Sequence, residues 1–382
     1  MNVNRHIPDV VALTRELVSM DTTLHDGNER AALECIAAKL EPFGFSCSMI
    51  GYDPDDAGKA NLVAQLNPSS TRPELCLCGH IDTVPFGSAP WEEDPLAATM
   101  KDGRLAGRGS VDMKGGLAAM ICAALAISGQ TGGRNLILHI YGSEEVGMRG
   151  SRHLSAKRPD MMGTVGAVLI GEPTGNHLQV GHKGILWIRC VARGVTAHAA
   201  MPEKGKNALL KLLPAAVNLA LYVPDACHEY LGASTAVLAT LHAGLNTNSV
   251  PDKAEMTLDV RTVAGQDTAA VIQTVTRLAG DEVEVFVDVE VPPLWTDPEL
   301  PWCGRVRDIV KGVTGVEADV ETARFATDGA NMRAALPDAP ILILGPGDPR
   351  MAHSTNECVP LTALRQAQAL YEAILADWYG LG

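Results

Sequence analysis

The sequence lacks several features that would place it in other classes of protein. Its longest apolar run, 117–127, is too short to cross a bilayer, which takes about 20 residues. The first twenty residues contain no apolar stretch typical of a signal peptide. Lys and Arg number 31 against 45 Asp and Glu, and the net charge of −14 argues against binding to nucleic acid or to an anionic membrane surface. We therefore expect a cytoplasmic protein.

Other absences concern cysteine and phosphate chemistry. The nine cysteines contain no Cys-x-x-Cys pair, and an odd, scattered set fits reduced thiols better than a disulfide framework. Cys76 and Cys78 are expected to pack in a core. The glycine-rich segment 107–116 lacks the Gly-Lys-Ser/Thr of a phosphate-binding loop. We find neither a repeat of fixed period nor a low-complexity segment.

What the sequence does contain is a series of histidines and carboxylates at the ends of apolar stretches. Residues 75–79 predict a buried strand, and His80 and Asp82 follow it two positions apart, on one side of an extended chain. Further members of the series are Asp112 in the glycine-rich turn, Glu144 and Glu145 after 135–141, Glu172 after 165–170, and His353 in the loop after 341–344. Because open α/β sheets bind ligands beyond the carboxyl ends of their strands, we expect these side chains to converge in one crevice.

This set of residue types indicates a two-metal hydrolase. Two neighbouring divalent ions need a bridging carboxylate, imidazole and carboxylate ligands on either side, and one further carboxylate that is free to move protons. A single His or Asp at a strand end is usually an ordinary loop residue. Seven such residues together favour the metal site, since the sequence offers one for every place.

At 382 residues the chain exceeds what one hydrophobic core usually serves, and two domains are expected. Alternating strand and helix patterns predict an α/β catalytic domain, with a mostly parallel sheet flanked by helices, over 1–180 and 293–382. Segment 181–292 has the order β-α-β-β-α-β, which is the ferredoxin-like α+β pattern. The pair Pro292-Pro293 marks its end.

Short motifs occur along nearly the whole chain: Gly-His-Ile-Asp-Thr-Val-Pro at 79–85, the glycine-rich turn at 107–116, Ser-Glu-Glu-Val-Gly at 143–147, Gly-Glu-Pro-Thr at 171–174, Gly-Val-Thr-Ala-His at 194–198 and Ala-His-Ser-Thr-Asn-Glu at 352–357. These motifs resemble the M20 metallopeptidase family, in particular its branch of acetylornithine deacetylases and succinyl-diaminopimelate desuccinylases. The resemblance implies that 181–292 is a lid inserted in the catalytic domain and often used for dimerisation.

Chemistry and resemblance together give each site residue a role. The expected metal ligands are His80 and Glu172 for one ion, Glu145 and His353 for the other, and Asp112 as the bridge between them. Glu144, next to a ligand, is the expected general base, which passes a proton from the water to the leaving amine. Asp82 is expected to hold the His80 imidazole and fix its tautomer.

Three residues of the predicted lid receive roles from the resemblance. In similar enzymes a histidine at the position of His198 reaches an active site, commonly that of the other subunit, and donates a hydrogen bond to the developing oxyanion. Asn246 and Arg261 resemble residues that hold the substrate carboxylate, to which a guanidinium can bind through both oxygens. Arg261 could instead pair with Asp259. The role of the segment 327–329, which matches a family loop, stays open.

The expected function is zinc-dependent hydrolysis of an N-acyl amino acid, with acetylornithine deacetylase the first choice and a homodimer the expected assembly. Cobalt and manganese can also occupy such sites. Alternatives within the family are a dipeptidase or glutamate carboxypeptidase, and a succinyl-diaminopimelate desuccinylase, for which Arg324 or Arg333 could contact the distal carboxylate. A non-catalytic metal-binding protein is the alternative from another class, and the presence of Glu144 argues against it.

Overall fold

The structure is a computed structural model that describes residues 6–24, 27–67 and 73–381. The chain divides into two compact units. Unit 1 comprises Met1–Gly181, Trp295–Ala323 and Thr327–Gly382, and unit 2 comprises His182–Leu294 with Arg324–Ala326. The first five residues of the amino-terminal segment considered above lie outside the described residues. Every helix in the described part of the chain is too short or too polar to span a bilayer.

The secondary structure alternates strands and helices in unit 1 and contains a smaller α+β set in unit 2. The helices are α1 Val10–Val18, α2 Glu29–Leu40, α3 Lys114–Ile127, α4 Arg149–Lys157, α5 Ala208–Ala220, α6 Thr268–Ala279, α7 Pro301–Thr314, α8 Gly329–Ala335 and α9 Leu361–Tyr379. The strands are β1 Phe45–Gly51, β2 Ala60–Leu66, β3 Glu74–His80, β4 Thr99–Lys101, β5 Arg104–Ala106, β6 Leu136–Tyr141, β7 Val165–Ile170, β8 Gln179–His182, β9 Gly184–Arg193, β10 Cys227–His228, β11 Gly232–Ala233, β12 Thr235–Ala243, β13 Lys253–Thr262, β14 Val283–Val291, β15 Leu294–Trp295, β16 Glu321–Ala323, β17 Ile341–Ile343 and β18 Cys358–Pro360.

The main sheet of unit 1 has the strand order β1-β2-β6-β3-β7-β17-β8-β15, with β16 beside β8. Its four central strands, β6, β3, β7 and β17, are mutually parallel. The pairs β1–β2, β2–β6 and β17–β8 are antiparallel. The α/β class is therefore confirmed, but the sheet is mixed rather than mostly parallel. The connection 52–59 between β1 and β2 is too short for the crossover that a parallel pair needs.

The parallel strands bring their carboxyl ends to one edge of the sheet. Every residue of β3 and of β6 is buried, as expected for strands covered by helices on both faces. Helix α3 is buried along nearly its whole length and packs closely because of its glycines. A Cβ atom added to Gly116 would lie 2.0 Å from the carbonyl oxygen of Gly171. This close approach fixes the segment that carries Glu172.

A small antiparallel sheet, β18-β5-β4, joins the carboxyl-terminal part of unit 1 to the glycine-rich turn. Cys358 lies opposite Ala106, and Val359 opposite Leu105. The pairing places the segment that follows His353 directly beside the segment that leads to Asp112. The predicted ligands His353 and Asp112, more than 200 positions apart in the sequence, thus lie on segments that are joined by one backbone ladder.

Unit 2 contains the antiparallel sheet β12-β13-β9-β14 with helices α5 and α6. The order β9-α5-β12-β13-α6-β14 is the β-α-β-β-α-β order expected from the sequence. Its core includes alternate residues of the strands, such as Leu186 and Ile188 of β9, packed with Leu212 and Leu219 of α5. Other apolar residues of α5, Leu210 and Val217 among them, are exposed within the described chain.

The close contact at Gly116 leads to a stability prediction. Gly116→Ala is expected to destabilise the fold by about 1–3 kcal/mol, because the added methyl group forces α3 away from the backbone of Gly171. The measurement is urea-induced unfolding followed by circular dichroism. Gly129→Ala is the control, since a Cβ there meets no atom within 4 Å in the described structure. Equal unfolding midpoints for both variants would contradict the proposed packing constraint.

Candidate metal centre

One group of potential ligands is centred on His80 at the end of β3. The Nε2 atom of His80 lies 3.1 Å from Oδ1 of Asp112 and 3.6 Å from Oε1 of Glu172. His80 and Glu172 are buried, and the ligand atoms of the three residues lie within 4.8 Å of one another. Since zinc takes nitrogen and oxygen ligands at about 2.0–2.2 Å, one ion between these atoms could contact all three.

A second group is centred on His353, and it shares Asp112 with the first. The Nε2 atom of His353 lies 3.0 Å from Oε2 of Glu145 and 3.3 Å from Oδ2 of Asp112. Asp112 thus directs Oδ1 towards one imidazole and Oδ2 towards the other. A carboxylate in this arrangement could bridge two metal ions, which is the role predicted for Asp112. The structure brings together all five residues that the sequence offers as ligands, in the predicted division.

The electrostatics of the two groups fit a pair of cations. Burial raises the pKa of Glu172 well above its ordinary value, and the negative charge of Asp112 adds to this rise. Burial and Asp112 likewise raise the pKa of Glu145 to about 7. Asp112 and Glu145 accept hydrogen bonds from His353 and raise its pKa to about 10. Three carboxylates crowded in this way repel one another, and two divalent ions would offset both the repulsion and the burial. Imidazole and carboxylate donors suit zinc, cobalt and manganese.

Asp82 lies beside His80, as predicted, but its carboxylate forms its hydrogen bonds with other residues. The Nδ1–H of His80 donates to the backbone carbonyl of Asp82 at 3.0 Å, whereas the carboxylate lies 3.6 Å from Nδ1, beyond hydrogen-bond distance. The two carboxylate oxygens instead accept the N–H groups of Glu144 at 3.0 Å and Glu145 at 3.1 Å. Asp82 therefore fixes the His80 tautomer through its main chain and the two glutamates through its side chain.

A buried hydrogen-bond network next to Glu144 could not be predicted from the sequence. Ser143, which has a left-handed backbone with φ of 50°, donates from Oγ to Glu29 Oε1 at 3.0 Å and accepts from the Tyr52 hydroxyl at 2.7 Å. Lys59 Nζ pairs with the same Glu29 oxygen at 2.8 Å, and Glu29 is fully buried. The network anchors the residue before Glu144. A glutamate in the first turn of α2 gives no sequence signal for this role, because acidic residues favour that position in any helix.

Glu144 is suited to hold and release a proton. Burial raises its pKa well above the ordinary value, and the charges of Asp328, Glu172 and Glu145 add to this rise while His80 opposes it. Asp328, from the segment 327–329 whose role the sequence left open, is itself buried, and burial raises its pKa to about 7. A divalent ion beside Glu144 would lower its proton affinity again. The residue therefore stands where proton transfer to and from the metal centre is possible.

The predicted substrate residues of unit 2 are exposed or half-buried. His198 is exposed, and its Nδ1 accepts the N–H of Ala200 at 3.0 Å. Asn246 is exposed in the loop between β12 and β13. Arg261 forms an ion pair with Asp259, in which Nη2 donates to Oδ2 at 3.0 Å and Nε lies 2.9 Å from Oδ1. The contact observed for Arg261 is thus the pairing with Asp259, which the sequence analysis gave as the alternative to substrate binding.

The two arginines considered for a distal carboxylate differ. Arg333 is half-buried, and its guanidinium donates to the backbone carbonyls of Leu336, Pro337, Ala339 and Trp295. It also donates to the hydroxyl of Thr296 at 3.2 Å. These contacts give Arg333 a structural role and make it unsuited to bind substrate. Arg324 is exposed.

Sharing of Asp112 by both groups leads to a prediction about metal content. After loading with zinc and dialysis against a weak chelator, Asp112→Asn is expected to lose most of the metal at both positions, whereas His353→Ala should lose about one equivalent. The reason is that the amide removes one charge from both positions, while the imidazole serves one. Zinc is measured by inductively coupled plasma mass spectrometry.

Asp102→Asn is the matched control, since Asp102 is exposed in the turn between β4 and β5 and undergoes the same chemical change. If Asp112→Asn kept two equivalents under conditions in which His353→Ala lost one, Asp112 would not be the bridge.

The chain is similar to known proteins over nearly its whole length. The model of peptidase family M20/M25/M40 matches residues 76–377. A succinyl-diaminopimelate desuccinylase of Parvibaculum lavamentivorans is 29% identical over an alignment of 387 residues, which covers 97% of this chain and 96% of that protein. A probable carboxypeptidase of Aspergillus terreus is 30% identical over 382 residues, which cover 94% of this chain and 84% of that protein.

Solved structures show the same fold. An M20 family metallo-carboxypeptidase from Sulfolobus solfataricus superposes with a TM-score of 0.81 at 18% identity, covering 98% of this chain and 100% of the other. Human carnosine dipeptidase 1 superposes with a TM-score of 0.72 at 17% identity, covering 97% of this chain and 96% of the other. At these identities the likeness is one of fold.

Proposed function

Because this chain belongs to peptidase family M20/M25/M40, and is a hydrolase acting on amides, we propose that it uses two zinc ions to remove the acyl group from an N-acyl amino acid. The observation that carries the proposal is the shared carboxylate of Asp112, which faces His80 with one oxygen and His353 with the other, 3.1 and 3.3 Å away. Glu144 is a further carboxylate near these candidate ligands, and its pKa is raised.

The chemistry divides between the metals and the chain. Two divalent ions, which His80, Asp112, Glu172, Glu145 and His353 would hold, would make a water molecule more acidic and polarise the carbonyl of the scissile amide. Glu144 takes the proton of the attacking water and returns it to the nitrogen of the leaving amine, a contribution of about 10²–10⁴ in rate. Asp82 keeps Glu144 in place, because it accepts the backbone N–H groups of Glu144 and Glu145.

The acyl group that we propose first is succinyl. The motifs alone favour acetylornithine, but the bacterial relative that aligns over 97% of this chain is named a succinyl-diaminopimelate desuccinylase. The second candidate is cleavage of a peptide bond beside a free carboxylate, and the fungal relative named a probable carboxypeptidase favours it. The same metal centre serves either reaction, since both substrates present an amide carbonyl and an amine leaving group.

Residues of unit 2 complete the proposal. The Nδ1 of His198 accepts a backbone N–H, so the proton of the neutral ring lies on Nε2, where it can be donated to a developing oxyanion. We assign the carboxylate of the substrate to Asn246 and to those guanidinium donors of Arg261 that Asp259 does not use. Of the five guanidinium N–H groups, one on Nη2 donates to Asp259, and Nε lies close to the other carboxylate oxygen.

The test of this function is a turnover screen on zinc-loaded and metal-stripped protein with N-succinyl-diaminopimelate, N-acetylornithine and several dipeptides. We expect zinc-dependent release of an amino acid, fastest from the succinylated substrate. Glu144→Gln should keep both zinc ions and lose turnover by about 10²–10⁴-fold, because the amide cannot accept the proton. Mass spectrometry follows the products.

Other results would redirect the proposal. Cleavage confined to dipeptides would move the chain to the peptidase reaction, and faster turnover with cobalt or manganese would replace zinc. Unchanged turnover in Glu144→Gln would remove Glu144 from the mechanism.

We further propose that the enzyme is a homodimer formed through unit 2. The apolar residues Leu210, Leu213, Val217 and Leu221 recur at helical spacing on α5 and its end, and all are exposed. Strand β12 lies at the edge of the unit 2 sheet. An edge strand presents unpaired backbone groups that a second strand can satisfy. A second copy of the same surface would cover both the apolar face and the strand edge.

The double variant Leu210→Asp, Val217→Asp is expected to be monomeric in size-exclusion chromatography with light scattering, because two buried carboxylates would oppose association. Val316→Asp is the control, since Val316 is similarly exposed but lies in unit 1. A double variant that stayed dimeric would place the interface elsewhere.

A further inference from the structure

The glycine-rich turn at 107–112 closes around a carboxylate of its own chain. One oxygen of Glu357 accepts the N–H groups of Val111 at 2.7 Å and Asp112 at 3.1 Å. The other accepts the N–H of Gly109 at 3.1 Å. Gly109 has φ of 83°, a left-handed conformation that suits glycine and lets neighbouring N–H groups converge. The turn therefore binds an anion as phosphate loops do, but the anion is a side chain.

Arg108 supplies the counter-charge within the same turn. Its Nη1 lies 2.8 Å from the second oxygen of Glu357 and also donates to the carbonyl of Ser354 at 3.2 Å. Its Nη2 donates to the carbonyl of Pro85 at 3.2 Å. Arg108 and Glu357 are both buried, so water cannot replace either partner at low cost.

These contacts link the two segments that carry the ligands of the second metal position. His353 lies four residues before Glu357, and Ser354, the residue after His353, is held by Arg108. Asp112 donates its own N–H directly to Glu357. The carboxylate of Glu357 therefore touches the backbone of the bridging ligand and lies on the same short segment as His353.

We propose that Glu357 is a positioning residue that sets the distance between Asp112 and His353 and so determines the zinc affinity of the position formed by Asp112, Glu145 and His353. The proposal rests on the proposed two-metal function and adds to it a residue that does not contact metal or substrate. The position formed by His80, Asp112 and Glu172 depends on it less, since His80 and Glu172 are held by β3 and β7.

The test is Glu357→Gln, which keeps the size of the side chain. In this variant an NH₂ group replaces the oxygen that now accepts hydrogen bonds from the N–H of Gly109 and from Arg108. Because NH₂ is itself a donor, these two hydrogen bonds are lost. We expect one zinc ion to bind as in the wild type and the other about 10–100-fold more weakly, the range seen when residues that orient metal ligands are removed. Affinities are measured by competition with a chromophoric zinc chelator. Turnover should recover as zinc is raised, which a merely misfolded variant would not show.

Glu74→Gln is the matched control. Glu74 is also a buried glutamate, bonded to Asn135, but it begins β3 whereas His80 ends it. We expect this variant to bind both zinc ions with wild-type affinity. Equal weakening in Glu74→Gln would assign the effect to general loss of stability and overturn the role of Glu357.

Glu357→Asp keeps the charge but is shorter by one methylene, and it answers the same question if Glu357→Gln does not fold. Intermediate weakening of one zinc ion supports the proposal. Wild-type affinity for both ions in a folded Glu357→Gln or Glu357→Asp variant would overturn it. A wild-type protein that binds fewer than two zinc ions would instead count against the proposed two-metal function.

Discussion

Both oxygens of Asp112 are committed, one to each histidine, and the surrounding structure is organised around that carboxylate. Gathering it with Glu145 and Glu172 in a largely buried space costs free energy, through desolvation and through repulsion between like charges. The imidazoles of His80 and His353 offset part of this cost, and two divalent ions would offset more. The fold thus concentrates negative charge at this centre, and that charge favours the binding of cations.

Strand topology explains why these ligands meet. Strands β3, β6 and β7 are parallel neighbours, so their carboxyl ends deliver His80, the pair Glu144 and Glu145, and Glu172 to one edge of the sheet. Asp82 then ties the loop after β6 to the loop after β3, because its carboxylate accepts the N–H groups of both glutamates. A slip of one residue in β3 would turn His80, the last residue of that strand, to the opposite face of the sheet.

Four of the five candidate ligands could be predicted from the sequence because each ends or follows an apolar run that forms a strand, whereas Asp112 lies in the glycine-rich turn that precedes the apolar helix α3. The residues that orient them could not. Glu357 acts on a turn some 245 positions away, and Glu29 acts on Ser143 across 114 positions. Neither contact leaves a local pattern. The mixed sheet escaped prediction for a similar reason: apolar runs indicate strands without fixing their direction. For Asp82, spacing placed the residue correctly but could not separate its carbonyl from its carboxylate.

Substrate choice is harder to derive, and Arg333 illustrates why. As an arginine near the predicted site segments it was a reasonable partner for the distal carboxylate of a succinyl group. Its guanidinium is instead shared among four backbone carbonyls and the hydroxyl of Thr296. Turning it towards a substrate would strip these acceptors of their donor, at about 1–3 kcal/mol for each one left buried and unsatisfied. A distal carboxylate on the proposed succinyl substrate would therefore have to be recognised by donors other than Arg333, so selectivity for the acyl group would depend on side chains other than those that build the metal centre.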